Sequence, residues 1–286
     1  MRGWPVTITE PGLLDKPIGL RPVRARDASV WRDARVRNAD WLRPWEPTNP
    51  ETPLYRSTIS PYLAMTRTMR REARQGLALP WVITYGGRFA GQLTVGSITW
   101  GSARSAQVGY WIDEAYAGRH VTPTALAMAL DHCFFVVGLH RVEASIRPEN
   151  HASRRVVQKL GFREEGLRRR YLHIDGAWRD HLCYALTVED VTGGLLPRWR
   201  NALSALRAGQ GGPPPDGAGS GTSAVGWSPW AADPPGARRA QGTGTAGYGG
   251  PDGYGPSGGN GGPRGYGGGG HGGAGGYGGA GRGGGY

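Results

Sequence analysis

The sequence predicts an α+β domain, a mixed but mostly antiparallel sheet flanked by helices, followed by a disordered tail. Segments with strand and helix periodicity alternate in the order β-α-α-β-β-β-α-β-α-β-β. One long apolar helix, residues 123–137, joins two strands that must then run parallel. From about Ala208 onward the chain holds 34 of the 51 glycines, and such a composition cannot bury enough apolar surface to order itself.

These observations divide the chain into four parts. We expect an irregular N-terminal segment at 1–17, a folded domain at 18–192, a helical extension at 193–207 and a disordered Gly/Pro/Tyr-rich tail at 208–286. The first 207 residues are long enough to build one domain with a substantial core.

The elements of the domain follow from periodicity and turn residues. Strands are predicted at Ile18–Arg24, Ala78–Tyr85, Arg88–Thr99, Ser105–Asp113, His140–Arg147, Leu167–His173 and Ala177–Leu186. Helices are predicted at Asp27–Asn38, Ser57–Gly76, Pro123–Val137 and Ala152–Leu160, with a further short helix within 188–207. Thr122 is placed as the cap of the third helix and Pro123 as its first residue.

Turn signals complete this pattern. Gly86–Gly87 and Asp175–Gly176 fit two-residue hairpin turns, in which both central residues have positive φ. Closely spaced prolines predict that Trp41–Pro47 is a shaped loop without helix.

The charge and the cysteines bound the classes of function. The formal net charge is +12, and the tail contributes little of it, with four arginines and three aspartates. A basic domain suits a polyphosphate ligand or a polyanionic neighbour such as a ribosome or its RNA, although an arginine-biased, solvated surface explains the charge equally well. Cys133 and Cys183 are expected to be reduced core residues of a cytoplasmic protein.

The sequence does not indicate a metal-binding protein, a membrane-spanning protein or a secreted protein. The histidines and cysteines lack metal-ligand spacing, so no metal is expected. No apolar run is long enough to cross a membrane, and the N-terminus lacks a signal pattern.

A strand, a loop and a helix start follow one another in Val108–Ala125, and this arrangement predicts an anion site. The first N–H groups of a helix have no partner within it, and the helix dipole favours negative charge there. The loop lacks the glycine patterns of dinucleotide folds and P-loops.

Instead, Ala117–Thr122 resembles the pyrophosphate loop of the GNAT acetyltransferases, Gln/Arg-x-x-Gly-x-Gly/Ala, with Ala117, His120 and Thr122 in place of pattern residues. Other stretches are similar to the ribosomal-protein-alanine N-acetyltransferases of the RimJ/RimL type, and to RimJ members most closely. They are Trp41–Pro47, His140–Glu143, Arg147–Ser153, Lys159–Phe162, Glu165–Gly166, Tyr171–Leu172 and Asp175–His181.

This resemblance implies a GNAT fold and acetyl transfer from acetyl-CoA to the N-terminal α-amino group of a protein, an N-terminal alanine of a ribosomal protein. It implies that CoA is bound by the loop residues Ala117, Gly118, Arg119, His120, Val121 and Thr122 and by Asn150 and Ser153. It also implies that Glu165 is the base and that Ser153 serves the thiol.

The residues themselves suggest further roles. In the fold that the resemblance implies, strands 105–113 and 140–147 splay apart, which would free the backbone of Trp111 and Ile112 to bind the acetyl and pantetheine groups. Glu143 is a second candidate base. The acceptor pocket is expected to be lined by Trp41, Trp45, Glu46, Tyr171 and His181.

Alternatives remain open at this point. Ser153 could simply cap a helix, Glu165 could pair with the Arg168–Arg170 run, and Glu143 could face solvent. The tryptophans could simply cover the edge of the core. The chain could acetylate a small amine or an antibiotic, or be a catalytically silent adaptor for ribosome or RNA. His120 favours the adaptor, because a non-glycine residue costs roughly 1–2 kcal/mol if the position needs a left-handed backbone, and its side chain would crowd the phosphates.

Overall fold

The computed structural model describes residues 3–51 and 59–209. The strands are β1 Ile8–Glu10, β2 Ile18–Pro22, β3 Leu79–Tyr85, β4 Arg88–Thr99, β5 Ser105–Ile112, β6 Arg141–Ile146, β7 Arg163–Ile174 and β8 Ala177–Thr187. They form one sheet in the order β1-β2-β3-β4-β5-β6-β8-β7. Every neighbouring pair is antiparallel except β5 and β6, so the predicted fold class is confirmed.

The helices lie on both sides of this sheet. They are α1 Ala28–Arg37, α2 Ala39–Leu42, α3 Ile59–Arg74, α4 Val121–Asp131, α5 His151–Lys159 and α6 Leu195–Gly209. A π-helical segment, His132–Val137, continues α4. Among the described residues, no helix has the length and apolar character needed to cross a membrane.

Two hydrophobic clusters lie on the two opposite faces of the sheet. The α4 face carries the larger cluster, which includes Trp81, Val108 and most of α4. The α1 face carries a smaller cluster around Trp31, Tyr62 and Trp111. Because successive strand residues point to opposite sides, Tyr110 belongs to the α4 face while Trp111 belongs to the α1 face.

The start of α4 is held in place by α6. The carboxylate of Asp131 caps α6, accepting hydrogen bonds from the N–H groups of Leu195 at 2.6 Å and Leu196 at 2.9 Å. Trp199 of α6 is buried and donates its indole N–H to Thr124 Oγ1 at 2.9 Å. The C-terminal helix therefore orients the first turn of α4.

The two predicted hairpin turns have the expected backbone. Gly86 and Gly87 have φ of +58° and +75°, and Asp175 and Gly176 have φ of +45° and +80°. Both central residues of each turn are left-handed, as the twist of a two-residue hairpin requires.

Three local predictions are wrong. The segment predicted to be irregular contains β1, which forms because Ile8–Glu10 pairs with Ile18–Leu20 of β2. The segment predicted to be a helix-free loop holds the end of α2 and a 3₁₀ turn at Arg43–Trp45. Pro44 is tolerated there because the first N–H groups of a helical turn need no internal partner.

The third correction concerns the start of α4. The cap is His120, with φ +60° and ψ +10°, and the helix begins at Val121, so Pro123 is its third residue. The predicted helix start at Ser57 lies outside the described residues. The predicted tail also lies outside them, except for Ala208 and Gly209, which end α6.

Candidate functional site

The parallel strands β5 and β6 separate after a short contact. Pairing runs only from Ser105–Gln107 to Arg141–Glu143, and beyond it lies the β5–β6 gap, the space between Val108–Ile112 and Ala144–Ile146. Asp113 N donates to Ala90 O of β4 at 2.8 Å. Since backbone groups alternate between the two neighbouring strands, Tyr110 and Ile112 direct theirs into the gap.

This alternation separates two residues that were predicted together. The backbone of Ile112 faces the gap, and its carbonyl accepts the indole N–H of Trp41 at 3.3 Å. The backbone of Trp111 is directed to β4, where Trp111 lies opposite Gln92. Of the predicted pair, only Ile112 can offer its N–H group to a molecule in the gap.

The loop Ala117–Thr122 leads from the open end of the gap to the first turn of α4. Gly118 has φ +74°, and the first N–H of α4 that bonds within the helix is that of Thr124, to His120 O at 3.2 Å. The preceding N–H groups of Val121 and Thr122 are those that a helix leaves without partners. Together with the helix dipole they can bind a diphosphate.

The side chain of His120 packs on α6. Its ring lies 5.7 Å from that of Trp199. Burial, with smaller contributions from Lys159 and Arg207, lowers the pKa of His120. The imidazole is therefore mostly neutral at pH 7 and adds no full positive charge to this site.

The start of α5 faces the gap from the opposite side. Asn150 is the cap, and its Oδ1 accepts the N–H of Ser153 at 3.0 Å. Ser153 therefore does not cap the helix, and its buried hydroxyl has no hydrogen-bond partner among the described residues. The hydroxyl of Tyr110 is buried in the same state.

These two hydroxyl groups are neighbours. Burial raises the pKa of Tyr110 strongly, and an interaction with the Ser153 side chain opposes this rise. The two groups are close enough to interact, yet neither meets hydrogen-bond geometry with the other. Sequence reasoning missed Tyr110, although its place in the apolar strand beside the predicted gap was a usable signal.

Trp41, Trp45 and Glu46, which were predicted to line the acceptor pocket, form a wall that contacts other residues of the α1 face. Arg147 donates to Pro44 O at 2.7 Å, and its guanidinium lies 5.4 Å from the ring of Trp45. Glu46 forms an ion pair with the buried Arg35. Together with the bond from Trp41 to the β5 backbone, these contacts place the wall beside the gap.

The two candidate bases are brought together by one arginine. Arg141 Nε lies 2.8 Å from Glu143, and the same guanidinium binds both oxygens of Glu165. Glu143 also contacts Arg168 at 3.2 Å, and Glu165 contacts Arg163 at 3.5 Å. Hydrogen bonding to Arg141, the largest cause, lowers the pKa of Glu165, which makes this carboxylate a weaker proton acceptor.

Tyr171 and His181 meet on the α1 face, as predicted for a shared pocket. Their rings lie 5.8 Å apart, edge to face, and Gln107 Nε2 donates to Tyr171 Oη at 3.4 Å. Burial lowers the pKa of His181. Strand alternation from Glu143 could have identified Ser145 as a further residue on this face.

The described residues do not form a comparable site for binding a metal or for nucleophilic catalysis. Among residues 3–51 and 59–209, no three His, Cys, Asp or Glu side chains converge as metal ligands. Burial raises the pKa of both Cys133 and Cys183, which disfavours the thiolate that nucleophilic catalysis needs.

Comparison with known proteins agrees with this geometry. The family model of the acetyltransferase (GNAT) domain matches residues 18–163. The chain is 31% identical over 201 residues to the ribosomal protein uS5-alanine N-acetyltransferase of Escherichia coli, an alignment that covers 68% of this chain and all of that protein.

Solved structures show the same relationship. Mycobacterium smegmatis RimJ in complex with CoA-disulfide is 46% identical, with a TM-score of 0.66, over 70% of this chain and 96% of that one. The ribosomal-protein-S5-alanine acetyltransferase of Vibrio fischeri is 27% identical, with a TM-score of 0.56, over 60% of this chain and 94% of that one.

Proposed function

Because this chain belongs to the GNAT acetyltransferase family, we propose that it transfers the acetyl group of acetyl-CoA to the α-amino group of an N-terminal alanine in a ribosomal protein. The observation that carries the proposal is similarity to the uS5-alanine N-acetyltransferase along that relative's whole length. The β5–β6 gap and the loop before α4 supply the matching site.

The residues around the gap fit acetyl-CoA. The N–H groups at the start of α4 suit its diphosphate, and the gap-facing backbone of Tyr110 and Ile112 suits the amides of the pantetheine arm. Asn150 and the unpartnered hydroxyl of Ser153 lie on the other side of this arm. When bound, acetyl-CoA supplies an activated acetyl thioester.

The chain's own residues position the amine and the leaving sulfur. An α-amine has a reference pKa of about 8, so about a tenth of it is neutral at pH 7 and a strongly tuned base is unnecessary. Ser153 donates its hydroxyl proton toward the departing thiolate. With both cysteines buried, transfer is direct within a ternary complex.

The acceptor binds on the α1 face. Trp41, Trp45 and Glu46 form one wall, and Tyr171 and His181 form the floor. The basic charge of the chain, +12, favours action beside the ribosome in the cytoplasm. Residues 18–192 form the catalytic domain, with the 193–207 extension supporting α4 and the 208–286 tail taking no part in catalysis.

The test is acetylation of defined amines by the purified full chain. With acetyl-CoA, a peptide starting with alanine from ribosomal protein uS5 should gain about 42 Da by intact mass. The same peptide with a blocked N-terminus and an internal lysine should not. Preference for polyamines or aminoglycosides would replace the proposed acceptor, and failure with every amine despite acetyl-CoA binding would support a silent adaptor.

A further inference from the structure

Two neighbouring buried polar atoms are among those on the α1 face that have no hydrogen-bond partner within the described residues. They are His181 Nε2 and Ser145 Oγ, and their residues are 0% and 1% exposed. Ser145 of β6 lies opposite Cys183 of β8, so His181 is two residues away on the adjacent strand and on the same face. Buried polar atoms are nearly always paired, with protein groups or with ordered water, so two such neighbours are able to accept hydrogen bonds from a bound molecule.

The hydrogen bonding of His181 determines which ring nitrogen can accept a proton. Nδ1 lies 3.0 Å from the carbonyl oxygen of Arg179. A carbonyl only accepts, so Nδ1 carries the ring proton and Nε2 has a free lone pair. The ring is thus oriented with its accepting nitrogen away from its own strand backbone.

The surroundings of His181 keep the ring neutral. Burial is the largest cause of its lowered pKa, and Arg147 adds to it, while Glu149 and Asp180 oppose it. The ring of Tyr171 of β7 also packs on the imidazole. The neutral imidazole keeps a free lone pair at pH 7, and because its lowered pKa also makes it a weak base, a proton taken up at Nε2 is readily released to water.

The nearby carboxylates are less suited to this task. Glu143 is held by Arg141 and Arg168, and Glu165 is held by Arg141 and Arg163. Both carboxylates are therefore neutralised by guanidinium groups, whereas Nε2 of His181 has no hydrogen-bond partner among residues 3–51 and 59–209.

We propose that Nε2 of His181 receives the proton of the acceptor's α-ammonium group, and that Ser145 Oγ accepts a second N–H of the same group. One N–H bond of the ammonium breaks, the proton joins Nε2, and the lone pair left on nitrogen attacks the acetyl carbonyl. The second proton that nitrogen loses leaves with the CoA thiol, and the imidazolium returns its proton to water. This inference rests on the proposed function.

The decisive measurement is kcat/KM for the alanine peptide between pH 6.5 and 8.5. In the native chain it should be nearly independent of pH, because the bound ammonium is deprotonated by the enzyme. In His181→Gln it should fall about tenfold at pH 7, because only about a tenth of the α-amine is then neutral, and rise by up to about tenfold per pH unit below the α-amine pKa of about 8. A loss with an unchanged pH profile would overturn the proposal, because it would indicate a purely structural histidine.

Matched variants separate the alternatives. His140→Gln removes an exposed histidine that pairs with Glu189 and should leave rate and profile unchanged. If kcat/KM rises about tenfold per pH unit in Glu143→Gln or Glu165→Gln but not in His181→Gln, a carboxylate is the base and the proposal fails. Ser145→Ala should raise KM several-fold and keep the flat profile.

Two further readouts keep the outcome interpretable. Nitrogen NMR of the native chain should show Nε2 of His181 unprotonated at pH 7 and shifted on adding the peptide; a protonated Nε2 would contradict the proposal. Calorimetric binding of acetyl-CoA to His181→Gln should equal that of the native chain, which also shows that the variant is folded. If the native chain acetylates no N-terminal peptide, the proposed function fails instead.

Discussion

The α4 face and the α1 face of the sheet meet at the β5–β6 gap but are built by different means. On the α4 face the groups offered to a ligand are mainly backbone amides, at the start of α4 and along β5, and they are oriented by α6 through Trp199. On the α1 face they are side chains joined in ion pairs, such as Arg35 with Glu46 and Arg141 with Glu143.

The difference explains which departures from the family pattern are tolerable. A backbone donor survives substitution wherever the chain keeps its path, so His120 can occupy a left-handed position while its ring rests on Trp199. The adaptor hypothesis relied on His120 crowding this loop. A side-chain site has no such tolerance, which places acceptor selectivity on the α1 face.

The largest predicted effect comes from a negative charge added to the backbone site of the α4 face, the loop before α4. Gly118→Asp should weaken acetyl-CoA binding by at least about 10²-fold, because like charges in contact cost several kcal/mol. A Cβ at Gly118 meets nothing within 4 Å, and an acidic residue before a helix is favourable to folding. Isothermal calorimetry measures the affinity.

The matched control for this prediction is Gly118→Asn, which has nearly the same shape without charge and also tolerates the left-handed backbone. It should retain most of the affinity. Equal losses in the two variants would show that backbone strain, rather than charge, controls this loop.

A smaller effect distinguishes catalytic from structural hydroxyl groups on the α4 face. Tyr110→Phe should lower kcat about tenfold by removing the group beside Ser153, and leave acetyl-CoA affinity unchanged. Because the lost hydroxyl has no partner, the free energy of unfolding should stay equal or rise. Stopped-flow turnover and chemical denaturation provide the two numbers.

Tyr184→Phe serves as the control on the same face. Its hydroxyl is paired, donating to Glu164 at 2.8 Å and accepting from Arg154 at 3.1 Å. This variant should lose about 1 kcal/mol of stability at unchanged kcat. The reverse pattern in the two tyrosines would remove Tyr110 from the mechanism.

The smallest predicted effect concerns acid, and both faces share it. Burial lowers the pKa of His120 and His132 on the α4 side and of His181 on the α1 face. The unfolded chain then binds more protons than the folded chain below about pH 6.5, so stability should fall as the pH drops through that value. Each such histidine adds at most about 1.4 kcal/mol per pH unit.

Denaturation midpoints at pH 7.5, 6.5 and 5.5 test this. His132→Gln and His181→Gln should each flatten the decline, although only the second is expected to alter catalysis. A decline that begins only below about pH 4.5 would instead assign acid sensitivity to carboxylates with lowered pKa, among them Glu165 and Asp190.

Much of the fold could be read from periodicity, because α4 is apolar on almost every side and the strands alternate or run apolar. The wrong predictions concern segments whose secondary structure depends on contacts with another element. β1 exists because β2 offers it an edge, and the turn around Pro44 depends on how α2 enters it.

The site was predicted less completely for a related reason. The resemblance pointed to Asn150 and Ser153, but only the fold showed that Asn150 caps α5 and leaves the Ser153 hydroxyl unpartnered. Likewise, Glu165 and Glu143 are recognisable as carboxylates in the sequence, while their common arginine is apparent only when β6, β7 and β8 are aligned.

The sequence by itself determined the order of the main elements, the family and the loop before a helix that can bind a diphosphate, because periodicity, turn residues and motifs are local properties of the chain. The tertiary structure decided which polar atoms have hydrogen-bond partners and which buried polar atoms have none among the described residues. Pairing depends on neighbours far apart in the chain, such as Trp199 with Thr124 and Arg141 with Glu165, and no local pattern records those distances.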